Sequence, residues 1–122
     1  MKISLFIILF IVLATLAAYI RFFLSSVTHS YTANLTVNFI GCLLIGFVFF
    51  LKQNNMISNS LWLLLAVAFL GALTTFSSYI LDIFKLFSEQ NYWQLVKYVS
   101  ATHILCILAY YFGFTVGEKV FN

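Results

Sequence analysis

The sequence predicts an all-α membrane protein of four transmembrane helices. Three observations predict it. Of 122 residues, 64% are hydrophobic and only 7% are charged, whereas a soluble domain carries about 25% charged residues. Residues 3–20, 22–51, 53–81 and 98–117 hold no Asp, Glu, Lys or Arg. Each stretch is long enough, or nearly so with its flanks, for the ~20 apolar residues that cross a bilayer. The apolar runs are continuous rather than alternating, which excludes a barrel and leaves helices to pair every backbone amide in lipid. An aromatic, Leu-rich chain of this length is neither disordered nor more than one domain, 1–122.

The first span is expected at about 3–24. Lys2, the apolar run 3–13 and Ala14, Ala17 and Ala18 also satisfy the layout of a secretory leader, but three further spans favour a retained helix. A polar turn, Ser25 to Ser30, leads to span two at about 33–51. The turn 52–60, rich in Asn and Ser, leads to span three at about 61–84. A short charged loop, Lys85 to Asn91, leads to span four at about 92–113, with a stub ending at Asn122. No linker and no separate soluble segment is visible.

Lys and Arg normally concentrate on the cytoplasmic side. With four spans, Lys2, Lys52 and Lys119 share one side, and Arg21, Lys85 and Lys97 share the other. So few charges can tie by chance. Alternatively, the chain inserts in both orientations, and two opposed copies pair about a two-fold axis in the membrane plane.

Polar groups inside spans are costly in lipid and face a partner, a cavity or a pathway. Asn34, Asn38 and Cys42 recur every four residues, on one face of span two. Asn38 either lines a pathway or joins two helices. In span three, Gly71 is followed by Thr74-Thr75, Ser77-Ser78 and Asp82. This reads as a helix break near Gly71–Ser78, whose carbonyls could hold a cation. The other reading is an intact helix whose hydroxyls bond back one turn. Tyr98, Thr102 and Cys106 form a stripe on span four, and His103 beside it suits a helix–helix hydrogen bond.

Two strings carry a resemblance. Leu35-x-x-Asn38-x-x-Gly41-x-x-x-x-Gly46 and Gly71-x-Leu73-Thr74-Thr75-Phe76-Ser77-x-Tyr79-x-x-Asp82 resemble the Fluc/CrcB fluoride channels, as does Arg21 followed by an aromatic residue. The likeness covers essentially the whole chain in length and span order. It implies an antiparallel, dual-topology homodimer with two fluoride pores, set in a bacterial-type inner (plasma) membrane as a multi-pass protein. A structural sodium ion would be held by backbone carbonyls matching Gly71 and Thr74. The pore asparagine falls on Asn38 and the two pore phenylalanines on Phe76 and Tyr79. The polar track of span four falls on Tyr98, Thr102 and, more loosely, Cys106, and the acidic residue after the aromatic pair on Asp82. The expected role is passive exit of fluoride from the cytoplasm.

The residue types suit that ion. Fluoride is small and strongly hydrated, so a pore must replace lost water with donors. The amides of Asn34 and Asn38 and the hydroxyls of Thr75, Ser77 and Ser78 can donate. Phe76 can present a positive ring edge. Arg21 would bias a vestibule toward anions, or else snorkel to the interface. The chain departs from the family in several places. Ala33-Asn34 replaces Gly-Thr, Tyr79 replaces Phe, and Asp82 replaces Glu. Ala14, Ala17 and Ala18 stand in place of early glycines, and Cys106 replaces a small hydroxyl residue or Gly.

Rival classes are a small proton-coupled multidrug or cation exporter, a non-conducting assembly subunit, and one half of a heterodimeric fluoride channel. The exporter needs a carboxylate in span one, and residues 3–20 hold none. Cys42 and Cys106 lie deep in spans and imply no disulfide framework. No catalytic constellation, metal-ligand cluster or phosphate loop is legible. A net charge of +3 is too small and dispersed for nucleic acid.

Overall fold

The structure is a computed structural model that describes residues 2–121. Its elements are α1 (Ile3–Val27), α2 (Ser30–Gln53), α3 (Asn59–Trp62), a π-helical segment (Leu63–Leu70), α4 (Gly71–Leu73), α5 (Ser77–Ser88) and α6 (Tyr92–Phe121). From α3 to α5 the chain follows one long apolar course, Asn59–Ser88. Among the described residues, this and three other helices are long and apolar enough to cross a membrane.

The first turn is tighter than the sequence predicts. Ser25 and Ser26 stay helical because their hydroxyls donate to Arg21 O (3.0 Å) and Phe23 O (2.7 Å), which shelters each polar side chain on its own backbone. Only Thr28 and His29 remain between α1 and α2. The second turn uses Asn55 at φ 57°, a left-handed conformation that Asn tolerates. There Lys52 Nζ donates to Asn59 Oδ1, and Ser58 Oγ accepts from Leu61 N at 3.2 Å to cap α3. The third turn passes through Gln90 at φ 56°. The last helix runs on past residue 113 to Phe121, so the expected stub is helical; Asn122 lies outside the described residues.

Packing centres on α2. Toward α6 it presents Gly46, where a Cβ would fall 2.1 Å from Tyr110 O. In return, a Cβ on Gly113 would fall 1.9 Å from Leu43 O. The two backbones therefore touch, which only glycine permits. Toward the third span, Gly41 receives the Thr74 methyl, whose Cγ2 lies 2.2 Å from where a Cβ would be. Val37, Val48, Leu70, Leu73 and Ala17 form one core; Tyr79, Leu86 and Tyr98 form a second. From α1, only Ala17 is fully buried, while Ile7, Ile8, Ile11 and Val12 are 51–58% exposed. Such a face requires lipid or a protein partner.

Candidate functional site

The third span does break within the expected Gly71–Ser78 segment, leaving Gly71 itself in the helix. That residue is helical (φ −64°, ψ −33°), and its N–H bonds Ala66 O, five residues back, as the π-helical segment closes. The chain leaves the helix at Thr74 (φ −78°, ψ 156°) and resumes at Ser77. The hydroxyl of Thr74 still donates to Leu70 O at 3.0 Å. The expected back-bonding therefore operates just before the break and does not prevent it.

Asn38 holds the break open. Its Nδ2 donates to Thr75 O at 3.1 Å and its Oδ1 accepts from Thr75 N at 2.9 Å. One side-chain amide thus pairs both backbone groups that the helix has abandoned. The readings of Asn38 as a lining residue and as a link between helices both apply, since it also lines the cleft described below. In an unbroken helix Thr75 N would bond Gly71 O. Its diversion to Asn38 leaves that carbonyl without its helical donor. Thr75 then caps the next helix, its Oγ1 accepting from Ser78 N at 3.2 Å and donating to Ser78 Oγ at 3.1 Å. Ser77 Oγ lies 3.4 Å from the same oxygen.

Beside the break opens a cleft of about 400 Å³, lined by Asn38, Thr74, Thr75, Phe76, Tyr79, Thr102 and neighbours that include Gly71, Cys42, His103 and Cys106. Two opposed helix ends meet there. The carbonyl end of α4 carries partial negative charge, and the amide end of α5 carries partial positive charge. Phe76 stands out from the chain, 73% exposed. Its ring centroid lies 5.9 Å from that of Tyr79, and Tyr79 lies 5.3 Å from Tyr98. Beyond the break, Arg21 Nη1 reaches Thr74 O at 3.5 Å.

Tyr79 is buried, with its oxygen 3.4 Å from His103 Nδ1. The same nitrogen lies 2.8 Å from Val99 O. A carbonyl can only accept, so Nδ1 carries the proton. The Tyr79 hydroxyl hydrogen is then not needed by His103 and is left to donate toward the cleft. His103 thus bonds its own helix and an aromatic on α5, close to the expected helix–helix link.

Four expected pore residues do not line the cleft: Ser77 and Ser78 turn to Thr75, and Asn34 and Tyr98 turn to Asp82. Asn34 Nδ2 donates to Asp82 Oδ2, and Tyr98 OH donates to the same oxygen at 3.2 Å. Ser30 Oγ donates to Oδ1 at 2.5 Å. Asp82 is fully buried, and its partners are three neutral donors in the first two turns of α2 and in α6. A carboxylate at the first turn of a helix is also favoured by the helix dipole. The period-four spacing of Asn34 and Asn38 was legible, but their different partners, one a carboxylate and one a peptide, were not. Ser30 was read only as turn, and no sequence signal paired it with Asp82.

A helical bundle with four apolar spans, one interrupted at a polar cleft, defines a small multi-pass membrane protein. The family model for CrcB-like protein, Camphor Resistance (CrcB), matches residues 8–114, and the chain belongs to that family. It is 38% identical over 86 residues to the fluoride-specific ion channel FluC of Trichormus variabilis, covering 69% of this chain and 63% of that one. It is 34% identical over 84 residues to the FluC of Helicobacter pylori, covering 69% and 65%. With FluC 2 of Prochlorococcus marinus it shares 40% over 98 residues, covering 77% and 72%. The matches to the first two span slightly less than two thirds of those relatives' lengths.

Proposed function

We propose that the chain is a subunit of a fluoride-selective channel that lets fluoride leave the cytoplasm passively. The carrying observation is the break: it brings the amide end of α5, the second amide hydrogen of Asn38, the Tyr79 hydroxyl and the Phe76 ring edge to one cleft. These are donors without carboxylates, as a dehydrated anion requires. The family and the names of the relatives support the choice of ion. Fluoride enters cells as neutral HF and dissociates, so a passive path for the anion protects the cytoplasm.

The working unit we propose is an antiparallel pair of identical chains with two pores. Support comes from the three-against-three charge tally, the exposed face of α1, and Phe76, which its own chain leaves uncovered. We also propose a structural sodium ion at the break, on two carbonyls. Gly71 O has lost its helical donor to Asn38, and Thr74 O points out of the helix toward a single long contact from Arg21. Each chain would supply two hard oxygens and a pair would supply four. Bound sodium would add fixed positive charge between the pores.

The test is fluoride efflux from liposomes containing the purified chain alone, read by a selective electrode with valinomycin present and chloride-loaded vesicles alongside. Fluoride release without chloride release is expected. Phe76→Ile should abolish it while the protein stays dimeric. Efflux that needs a second, different chain would replace the homodimer with a heterodimer. Efflux indifferent to Phe76→Ile would remove the cleft from the pathway.

A further inference from the structure

His103 on α6 lines the cleft beside Tyr79 and Thr102. Its Nδ1 donates to Val99 O at 2.8 Å, one turn back on its own helix, and its ring meets that of Tyr79 edge-on at 5.9 Å between centroids. With Nδ1 committed, Nε2 is the nitrogen left to titrate. Protonating it costs neither contact, because the imidazolium keeps its Nδ1–H. It converts a lone pair into a second N–H donor and adds a full positive charge.

Few groups compete for that charge. The other titratable side chains that share the cleft are Cys42 from α2, Tyr79 from α5 and Cys106 on α6 itself; α4 and the π-helical segment supply none. Thiols and phenols ordinarily stay neutral over the range where histidine charges. Among the described residues, no Asp, Glu, Lys or Arg lines the cleft. Asp82 is turned to Ser30, Asn34 and Tyr98, Arg21 reaches Thr74 O from beyond the break, and Lys97 stands over the Trp93 ring at 4.9 Å. A charge at membrane depth is costly unless it pairs or faces water. With no carboxylate in the cleft, the partner within reach of an imidazolium is a passing anion.

We propose that His103 is an anion-binding residue of the cleft, and that its second proton and fluoride bind together. Each favours the other, and the coupling is reciprocal. The proton is drawn from water and returned to it, so only an N–H bond forms and breaks. Fluoride, the smaller ion, approaches the charge more closely than chloride and gains more from it. Release through the cleft should therefore quicken as pH falls, the direction in which more HF enters the cell. This release half rests on the cleft being the ion path; the binding half does not.

Binding is read on the purified dimer by nitrogen NMR of labelled histidine. The chain has two histidines, and His29→Gln, in the turn before α2, leaves His103 as the one signal. Replacing chloride by fluoride should raise the pH at which it titrates by at least about 0.5, which corresponds to roughly threefold tighter fluoride binding to the charged ring. An unmoved titration would overturn the site. Efflux at about pH 6 and 8, either side of the histidine range, is the second readout, with HF leak from protein-free vesicles subtracted. The parent should release fluoride roughly threefold faster at the lower pH, and His103→Gln should release it equally at both. A parent with a flat profile, or a variant that keeps the slope, would overturn the release half. A shifted titration with no fluoride release at either pH would instead overturn the channel reading and leave the binding site standing.

Discussion

The two seams on α2 are closed by different physics. Against α6, α2 closes by shape: Gly46 and Gly113 let backbone meet backbone. Against the third span, it closes by hydrogen bonds: Asn38 on the Thr75 peptide, and Ser30 and Asn34 on Asp82. Lipid tails are as apolar as Leu, so burial alone holds no two membrane helices together, and close packing and polar links are what remain. The chain uses one for its rigid scaffold and the other for the seam where the backbone must leave the helix. Polar links can stabilise an irregular segment, which shape-packed glycines cannot do.

The largest effect should come from the shape-packed seam. Gly46→Leu or Gly113→Leu places carbon against a carbonyl that cannot move without displacing its helix. Overpacking costs about 1–3 kcal/mol where side chains can yield, and here the obstacle is backbone. We expect loss of the monodisperse peak in size-exclusion chromatography. A well-folded Gly113→Leu protein would show that the seam is looser than the contact distances state.

Next comes Asp82. Replacing it by Leu strands the donors of Ser30, Asn34 and Tyr98, and each buried unpaired group costs about 1–3 kcal/mol. Asp82→Asn keeps one acceptor oxygen and should lose less. The order of thermal midpoints should therefore be parent, Asn, Leu. An Asn variant as unstable as the Leu variant would make the charge itself essential.

Asn38 should separate fold from flux. Asn38→Leu unpairs two backbone groups, at about 1–3 kcal/mol each. Asn38→Asp keeps the acceptor for Thr75 N, loses the donor to Thr75 O, and adds negative charge at the cleft. Fluoride release by Asn38→Asp should fall more than about tenfold, which needs only ~1.4 kcal/mol of added barrier. Its thermal midpoint should fall less than that of Asn38→Leu. Equal losses of stability with normal flux would reduce Asn38 to a structural link.

Much of this contrast was legible in the sequence. Charge-free runs located four helices, and the cluster of Gly71, Thr74, Thr75, Ser77 and Ser78 marked a break in the third. The exact departure point was not legible. Gly71 is the residue most able to leave a helix, yet the break falls at Thr74–Phe76, because Asn38, distant in sequence, reaches the peptide of Thr75 and not of Gly71. The π-helical turn before it has no composition signal, since Leu63–Leu70 is uniformly apolar. Asn34 and Asn38 look equivalent by period, and only the fold separates a carboxylate partner from a peptide partner.

The smallest expected effect tests the cleft most finely. Tyr79→Phe keeps the ring, and with it the centroid contacts to Phe76 at 5.9 Å and Tyr98 at 5.3 Å. It removes one hydroxyl, and His103 keeps its bond to Val99 O at 2.8 Å, so no buried group is left unpaired. The thermal midpoint should barely move. If the phenol donates to a passing anion, its loss removes one hydrogen bond, a net of about 0.5–1.5 kcal/mol. Fluoride release should then slow by roughly two- to tenfold. Release as fast as the parent's would mean that the ring edge alone serves the ion, as it would with the phenylalanine usual in the family. The polar contribution to the cleft would then shrink to Asn38 and the amide end of α5.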